Sequence, residues 1–233
     1  MHIPDGFIDA PTSVATGVVA AAGVALALRK AGRELDEKTA PMAGLVAAFI
    51  FAVQMLNFPV GAGTSGHLLG GALAAVLVGP WTAVLCMSVV LITQSLLFAD
   101  GGITALGSNI TLMGIVTIAV GFAVFTTVVR FAPASARSVA VGAFLAALVS
   151  VPAAAAAFVG LYEVGGTADI PLRSLIAAMV GWHVLIGVGE AIITGLTVSS
   201  VLAVRPDLVY GARGLLIKST LELRPGLSAQ VRS

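Results

Sequence analysis

The chain has 233 residues, of which 58% are hydrophobic and 10% charged, and a mean hydropathy of +1.07. Soluble domains carry about a quarter charged residues, so an ordinary soluble domain is excluded and an integral membrane protein is specified. Twelve basic and eleven acidic residues leave a formal charge of +1, giving no electrostatic case for nucleic acid, and the single Cys86 rules out an intrachain disulfide or thiolate cluster.

The first stretch, Met1-His2-Ile3-Pro4-Asp5-Gly6-Phe7, lies directly before the first apolar run. It has neither the basic start nor the cleavage site of a secretory signal and is expected to stay in the mature protein. The free α-amine of Met1, the main-chain nitrogen of His2 and Nδ1 of its imidazole close a five-membered and then a six-membered chelate ring around one metal ion. Ni(II) and Cu(II) favour such nearly planar nitrogen sites and displace the amide proton; Zn(II) and Ca(II) do not. A fourth ligand is lacking at this point, and the same residues also fit an ordinary chain terminus. Pro4, Asp5 and Gly6 favour a tight turn that folds the terminus back.

Apolar runs of bilayer-spanning character follow at about 11–29, 41–56, 67–79, 81–98, 109–131, 138–160 and 172–204. The fold class expected is therefore all-α: a polytopic bundle of seven transmembrane helices, with Gly79-Pro80-Trp81 joining the third and fourth as a tight hairpin. Residues 1–204 form a single membrane domain, opened by a metal-binding segment at 1–10 and followed by a basic tail at 205–233. With the N-terminus outside and the C-terminus cytoplasmic, Arg29, Lys30, Arg33, Lys38, Arg130, Arg137 and the tail residues Arg205, Arg213, Lys218, Arg224 and Arg232 fall inside. Only Arg173 falls outside, so eleven of the twelve basic residues agree with the positive-inside rule.

In this orientation the loop Asn57 to His67 is external, with three glycines and Pro59 leading into the histidine. Irregular backbone at membrane depth is tolerated only where protein covers it or it lines a cavity. His67 accordingly either lines an outer pocket or bonds a carbonyl as a structural residue. The loops Ala99–Asn109 and Leu161–Arg173 are Gly-rich or polar and suit a lid. In the last span His183 and Glu190 are seven residues apart, about 10 Å along one helix face. That is too far for one metal ion; they fit a proton relay, or a structural role in which Glu190 bonds Gln54, Gln94 or Asn109. Small residues spaced by four, such as Gly17, Ala21 and Ala25, allow close helix packing, and Ala43 with Ala47 offers a face for a partner. No nucleotide-binding loop or zinc-hydrolase motif is present, so the chain is not expected to be an enzyme or to hold a cofactor.

The stretches MHIPDGF, NFPVGAGTSGHLLGGALAAVLVGPW at 57–81, ALGSN at 105–109 and GWHVLIGVGEAIIT at 181–194 resemble the CbiM/NikM family, the substrate-binding (S) components of energy-coupling-factor transporters for nickel and cobalt. The resemblance implies a six-helix core with an added N-terminal helix, and metal coordination by the Met1 amine, the His2 amide nitrogen, the His2 imidazole and the His67 imidazole. It implies capture of Ni²⁺, with Co²⁺ next, as the transported substrate in an ATP-driven importer. The partners implied are a transmembrane coupling (T) subunit, two ATP-binding cassette ATPases and a small accessory membrane subunit. The location implied is the plasma membrane of a prokaryote. The rival expectations are a proton-coupled secondary transporter using Glu190 and His183, and a structural membrane subunit. Because both imidazoles must be neutral to bind, capture is expected to weaken as pH falls through about 6 to 7.

Overall fold

The computed structural model describes residues 1–37, 39–61 and 64–215, with the main chain alone at 58–61 and 64–65. Lys38 and the tail beyond residue 215, which include part of the expected basic pattern, lie outside the described residues. The helices are α1 (Ala10–Lys30), α2 (Ala40–Gln54), α3 (Gly71–Val78), α4 (Pro80–Leu97), α5 (Leu106–Phe131), α6 (Ala136–Gly165) and α7 (Leu172–Val204). Between α2 and α3 stands a small antiparallel hairpin, β1 (Phe58–Gly61) and β2 (Thr64–Gly66), with an irregular register between Pro59 and Gly61.

Among the described residues five helices are long and apolar enough to cross a bilayer: Ala10–Arg33, which is α1 with one 3₁₀ turn added, and α4, α5, α6 and α7. Large apolar side chains such as Val14, Leu96, Val149, Leu185 and Leu196 are exposed on their outer faces. In water such a surface would be unstable; in lipid it is the expected one. Helix starts follow local chemistry. Asp9 caps α1 by accepting from the Thr12 N–H at 2.9 Å, Pro11 occupies its first turn, and Ser135 caps α6.

The third apolar stretch departs from its reading as a helix over 67–79. Its helix begins only at Gly71 and has eight residues, a rise of about 12 Å, all of them buried. Pro59 and the glycines of the preceding loop divert the chain into the β1–β2 hairpin, and residues 67–70 re-enter the bundle without helical bonding. The short α3 touches α2, α4, α5, α6 and α7 and so forms the axis of the bundle. The expected turn between α3 and α4 is present at Gly79-Pro80, with Gly79 at φ +95°. Helices also meet where small residues allow it: a Cβ at Gly107 would lie 2.4 Å from Gly17 Cα.

The loops sort into two ends. Residues 1–9 bond to residues 102–109 and 165–167, which places the start of the chain, the α4–α5 loop and the α6–α7 loop together. At the other end Glu34 caps α4, accepting from the Trp81 and Thr82 N–H groups at 3.2 and 2.7 Å and from Thr82 Oγ1 at 3.0 Å. The Arg213 guanidinium donates to the Glu34 carbonyl at 2.8 Å, and the Lys30 ammonium sits 4.4 Å from the centre of the Trp81 ring. The described basic residues of the loops, apart from Arg173 at the start of α7, belong to this second end.

Candidate metal site

The first nine residues form a strap across the first end. Phe7 N–H donates to the Pro4 carbonyl at 3.4 Å around Asp5 and Gly6, and Gly6 takes φ +75°, a left-handed conformation that glycine adopts without a steric cost. Before this turn the chain dives inward: Met1, His2 and Ile3 are buried, while Pro4, Asp5 and Gly6 are exposed. Both flanks are held. Asn109 on α5 pairs with Ile3 in both directions, its Oδ1 accepting from the Ile3 N–H at 2.8 Å and its Nδ2 donating to the Ile3 carbonyl at 3.2 Å. Gly102 N–H also donates to the Ile3 carbonyl, at 2.8 Å. Asp5 Oδ1 accepts from the N–H and the hydroxyl of Thr104 at 2.7 and 2.6 Å. On the opposite flank Thr167 donates from its hydroxyl to the Gly6 carbonyl at 2.6 Å and from its N–H to the Phe7 carbonyl at 3.1 Å. Asp9 N–H reaches the Gly165 carbonyl at 2.7 Å.

The loops expected to act as a lid are thus what grips the strap. The α6–α7 loop is shorter than that reading supposed, because α6 continues to Gly165.

The strap places His2 against His67, with ring centroids 4.5 Å apart and planes 29° from parallel. The outer nitrogen of each ring is engaged in a way that fixes the tautomer. His2 Nε2 lies 3.1 Å from Gln94 Oε1 and serves as donor, leaving Nδ1 as a lone pair; this is the nitrogen that a six-membered ring with the His2 amide requires. Asp100 Oδ1 stands 3.2 Å from His2 Nδ1 without the alignment of a hydrogen bond. His67 Nδ1 donates to the Leu68 carbonyl at 2.8 Å, leaving Nε2 buried and without a hydrogen-bond partner. Metal-binding imidazoles are commonly held in this manner, one nitrogen on an outer partner and the other free.

Burial lowers the basicity of the Met1 amine and of the His2 imidazole. The Met1 amine is held at about 4 by loss of hydration, with Asp100 acting in the opposite sense. His2 is likewise held at about 4, by burial and then by the neighbouring amine. Neutral nitrogens keep their lone pairs available. Among the described residues no three His, Cys, Asp or Glu side chains gather as a metal cluster. The nitrogens gathered here are those of two imidazoles, the buried amine and the adjoining main chain.

Glu190 and His183 are buried on α7 but do not bond to each other. Glu190 takes none of the partners expected for it: its carboxylate accepts from the Leu69 and Gly70 N–H groups, while Gln54 bonds the Leu69 carbonyl, Gln94 bonds His2 and Asn109 bonds Ile3. His183 Nδ1 donates to the Met179 carbonyl at 2.7 Å. Sequence reasoning noticed the amides Gln54, Gln94 and Asn109 as polar groups in apolar runs, but it could not assign their partners. The sequence signals no role for Asp100 in its outer loop, and none for Glu34.

The fold is that of a transition metal transporter. A crystal structure of a transition metal transporter matches 96% of this chain and 100% of its own with a TM-score of 0.77 at 30% identity. The chain belongs to the CbiM family, the cobalt uptake substrate-specific transmembrane region, whose pattern covers residues 2–208. It is similar to a putative fused nickel transport protein, NikMN, of Archaeoglobus fulgidus, 42% identical over 90% of this chain and 68% of that protein. It is also similar to a putative metal transport protein of Haloquadratum walsbyi, 38% identical over 90% of this chain and 94% of that one. Both relatives are putative metal transport proteins, the first of them for nickel.

Proposed function

We propose that the chain is the substrate-specificity subunit of an ATP-driven importer of the energy-coupling-factor type, and that it captures Ni²⁺, or next Co²⁺, through the Met1 amine, the His2 amide nitrogen, His2 Nδ1 and His67 Nε2. The observation that carries this reading is the stacked pair His2 and His67, each with its free nitrogen buried, beside a buried chain start. A planar set of four nitrogens suits Ni(II).

The strap end faces outside and the basic end the cytoplasm of a prokaryotic plasma membrane, in accord with the positive-inside rule. All seven helices cross, α3 doing so with the help of the non-helical residues 67–70. A coupling subunit, two ATPases and a small accessory membrane subunit complete the importer. The proton-relay alternative is disfavoured because both carboxylate oxygens of Glu190 are occupied by main-chain N–H groups.

The test is one glycine placed before Met1. It turns the amine into an amide and forces extra chain into a buried place, while leaving both histidines intact. Titration calorimetry should show Ni²⁺ affinity falling by at least the ~100-fold at the upper end of the loss from disturbing a ligand's support. Unchanged affinity would refute the site.

A further inference from the structure

We propose that Glu190, nominally remote on α7, is a positioning residue for His67: it fixes the main chain that carries this imidazole and so decides whether Nε2 reaches the ion. The proposal rests on the metal site described above. The His67 ring takes its orientation from Leu68, whose carbonyl accepts from Nδ1 at 2.8 Å. The position of Leu68 depends in turn on the next two residues. Glu190 Oε2 accepts from the Leu69 N–H at 2.6 Å and Oε1 from the Gly70 N–H at 2.9 Å. Gln54 on α2 completes the hold by donating Nε2 to the Leu69 carbonyl at 2.7 Å.

Leu69 is therefore fixed at both its polar atoms by side chains from two helices, and all three residues are buried. These N–H groups precede α3 and have no helical acceptor, so in the bundle interior they need one from elsewhere. A carboxylate serves two adjacent N–H groups at once, and its charge is favourable at the start of a helix. The turn that follows has little freedom. Gly70 has φ +81°, and a Cβ there would lie 2.9 Å from Ile50 Cγ1.

A bond network that only stabilised the bundle would affect folding without changing the number of nitrogens on the metal. The test uses the full chain in detergent with an unmodified Met1 amine, Cu²⁺ as the spectroscopic probe and Ni²⁺ for affinity. Glu190→Gln keeps the side-chain size but sets an amide N–H₂ against one of the two main-chain N–H groups. The electron paramagnetic resonance pattern is expected to move from four nitrogens toward the three-nitrogen pattern of His67→Ala, and Ni²⁺ affinity to fall by about 10–100-fold. A four-nitrogen spectrum with affinity within twofold of wild type overturns the proposal. Should Glu190→Gln not fold, Gln54→Leu, which removes only the bond to the Leu69 carbonyl, is read by the same spectrum and the same two outcomes. If the wild-type protein lacks the four-nitrogen pattern, or His67→Ala retains it, the metal site itself is refuted and the positioning role falls with it. If those controls behave and Glu190→Gln is silent, only the positioning role fails.

Discussion

Asn109 offers the sharpest test of how the strap is seated. Asn109→Ala removes the acceptor of the Ile3 N–H and one donor to the Ile3 carbonyl. Ile3 is 0% exposed, so its N–H is left buried without a partner, at a cost of about 1–3 kcal/mol. The carbonyl keeps the Gly102 N–H at 2.8 Å, so the second loss is only the net worth of one bond, about 1 kcal/mol. The sum is about 2–4 kcal/mol directed at the segment that carries Met1 and His2. Were all of it to unseat the strap, affinity would fall by ~30-fold or more, since 1.4 kcal/mol is about tenfold. The bonds at Thr104, Thr167 and Asp9 remain, and only the unseated fraction weakens binding, so the expected loss of Ni²⁺ affinity is about tenfold. Titration calorimetry on protein with an unmodified amine measures it, and hydrogen exchange at residues 1–3 reports the opening independently. Native affinity together with native protection of the Ile3 N–H would refute the reasoning.

Further outcomes follow from the packing and the electrostatics. Gly107→Val sets side-chain atoms where a Cβ alone would lie 2.4 Å from Gly17 Cα, so α1 and α5 must separate; the thermal midpoint in detergent should drop by the equivalent of about 1–3 kcal/mol, and an unchanged midpoint would contradict the close helix approach. For pH, burial holds the Met1 amine and His2 each at about 4, against ordinary values of 8.0 and 6.5. Between those limits the unfolded chain binds more protons than the folded one, so the metal-free protein has its full stability above pH 8 and loses it as pH falls toward 4. Thermal midpoints of the metal-free protein should decrease from pH 8 to pH 5, and a flat or rising series would rule the effect out. The same shifts imply that Ni²⁺ capture holds below the window of about pH 6 to 7 that free imidazole sets.

The long helices were legible because lipid demands an unbroken apolar run, and α1, α4, α5 and α7 begin and end within a few residues of the runs that announce them. The exceptions have physical causes. Residues 67–70 are as apolar as a helix, yet glutamate and glutamine side chains from α7 and α2 supply their main-chain partners, and nothing local to the stretch signals this. The π-helical stretch Ile110–Val116 likewise leaves no mark in composition. At the site, the chelating potential of Met1 and His2 was visible in their adjacency, and the turn in Pro-Asp-Gly. The partners of the strap were not, because the bonds from His2 to Gln94 and from Ile3 to Asn109 join residues 92 and 106 positions apart.

The strap also ties two corners of the molecule to each other. One edge is fastened to residues 102–109, the other to residues 165–167, with Met1 and His2 at the free tip between them. Any change of shape that draws the α4–α5 corner away from the α6–α7 corner must strip one row of fastenings and drag the tip with the other. Grip on whatever the tip holds is in this way geared to the spacing of two corners, and loosening either one is a mechanical route to letting go.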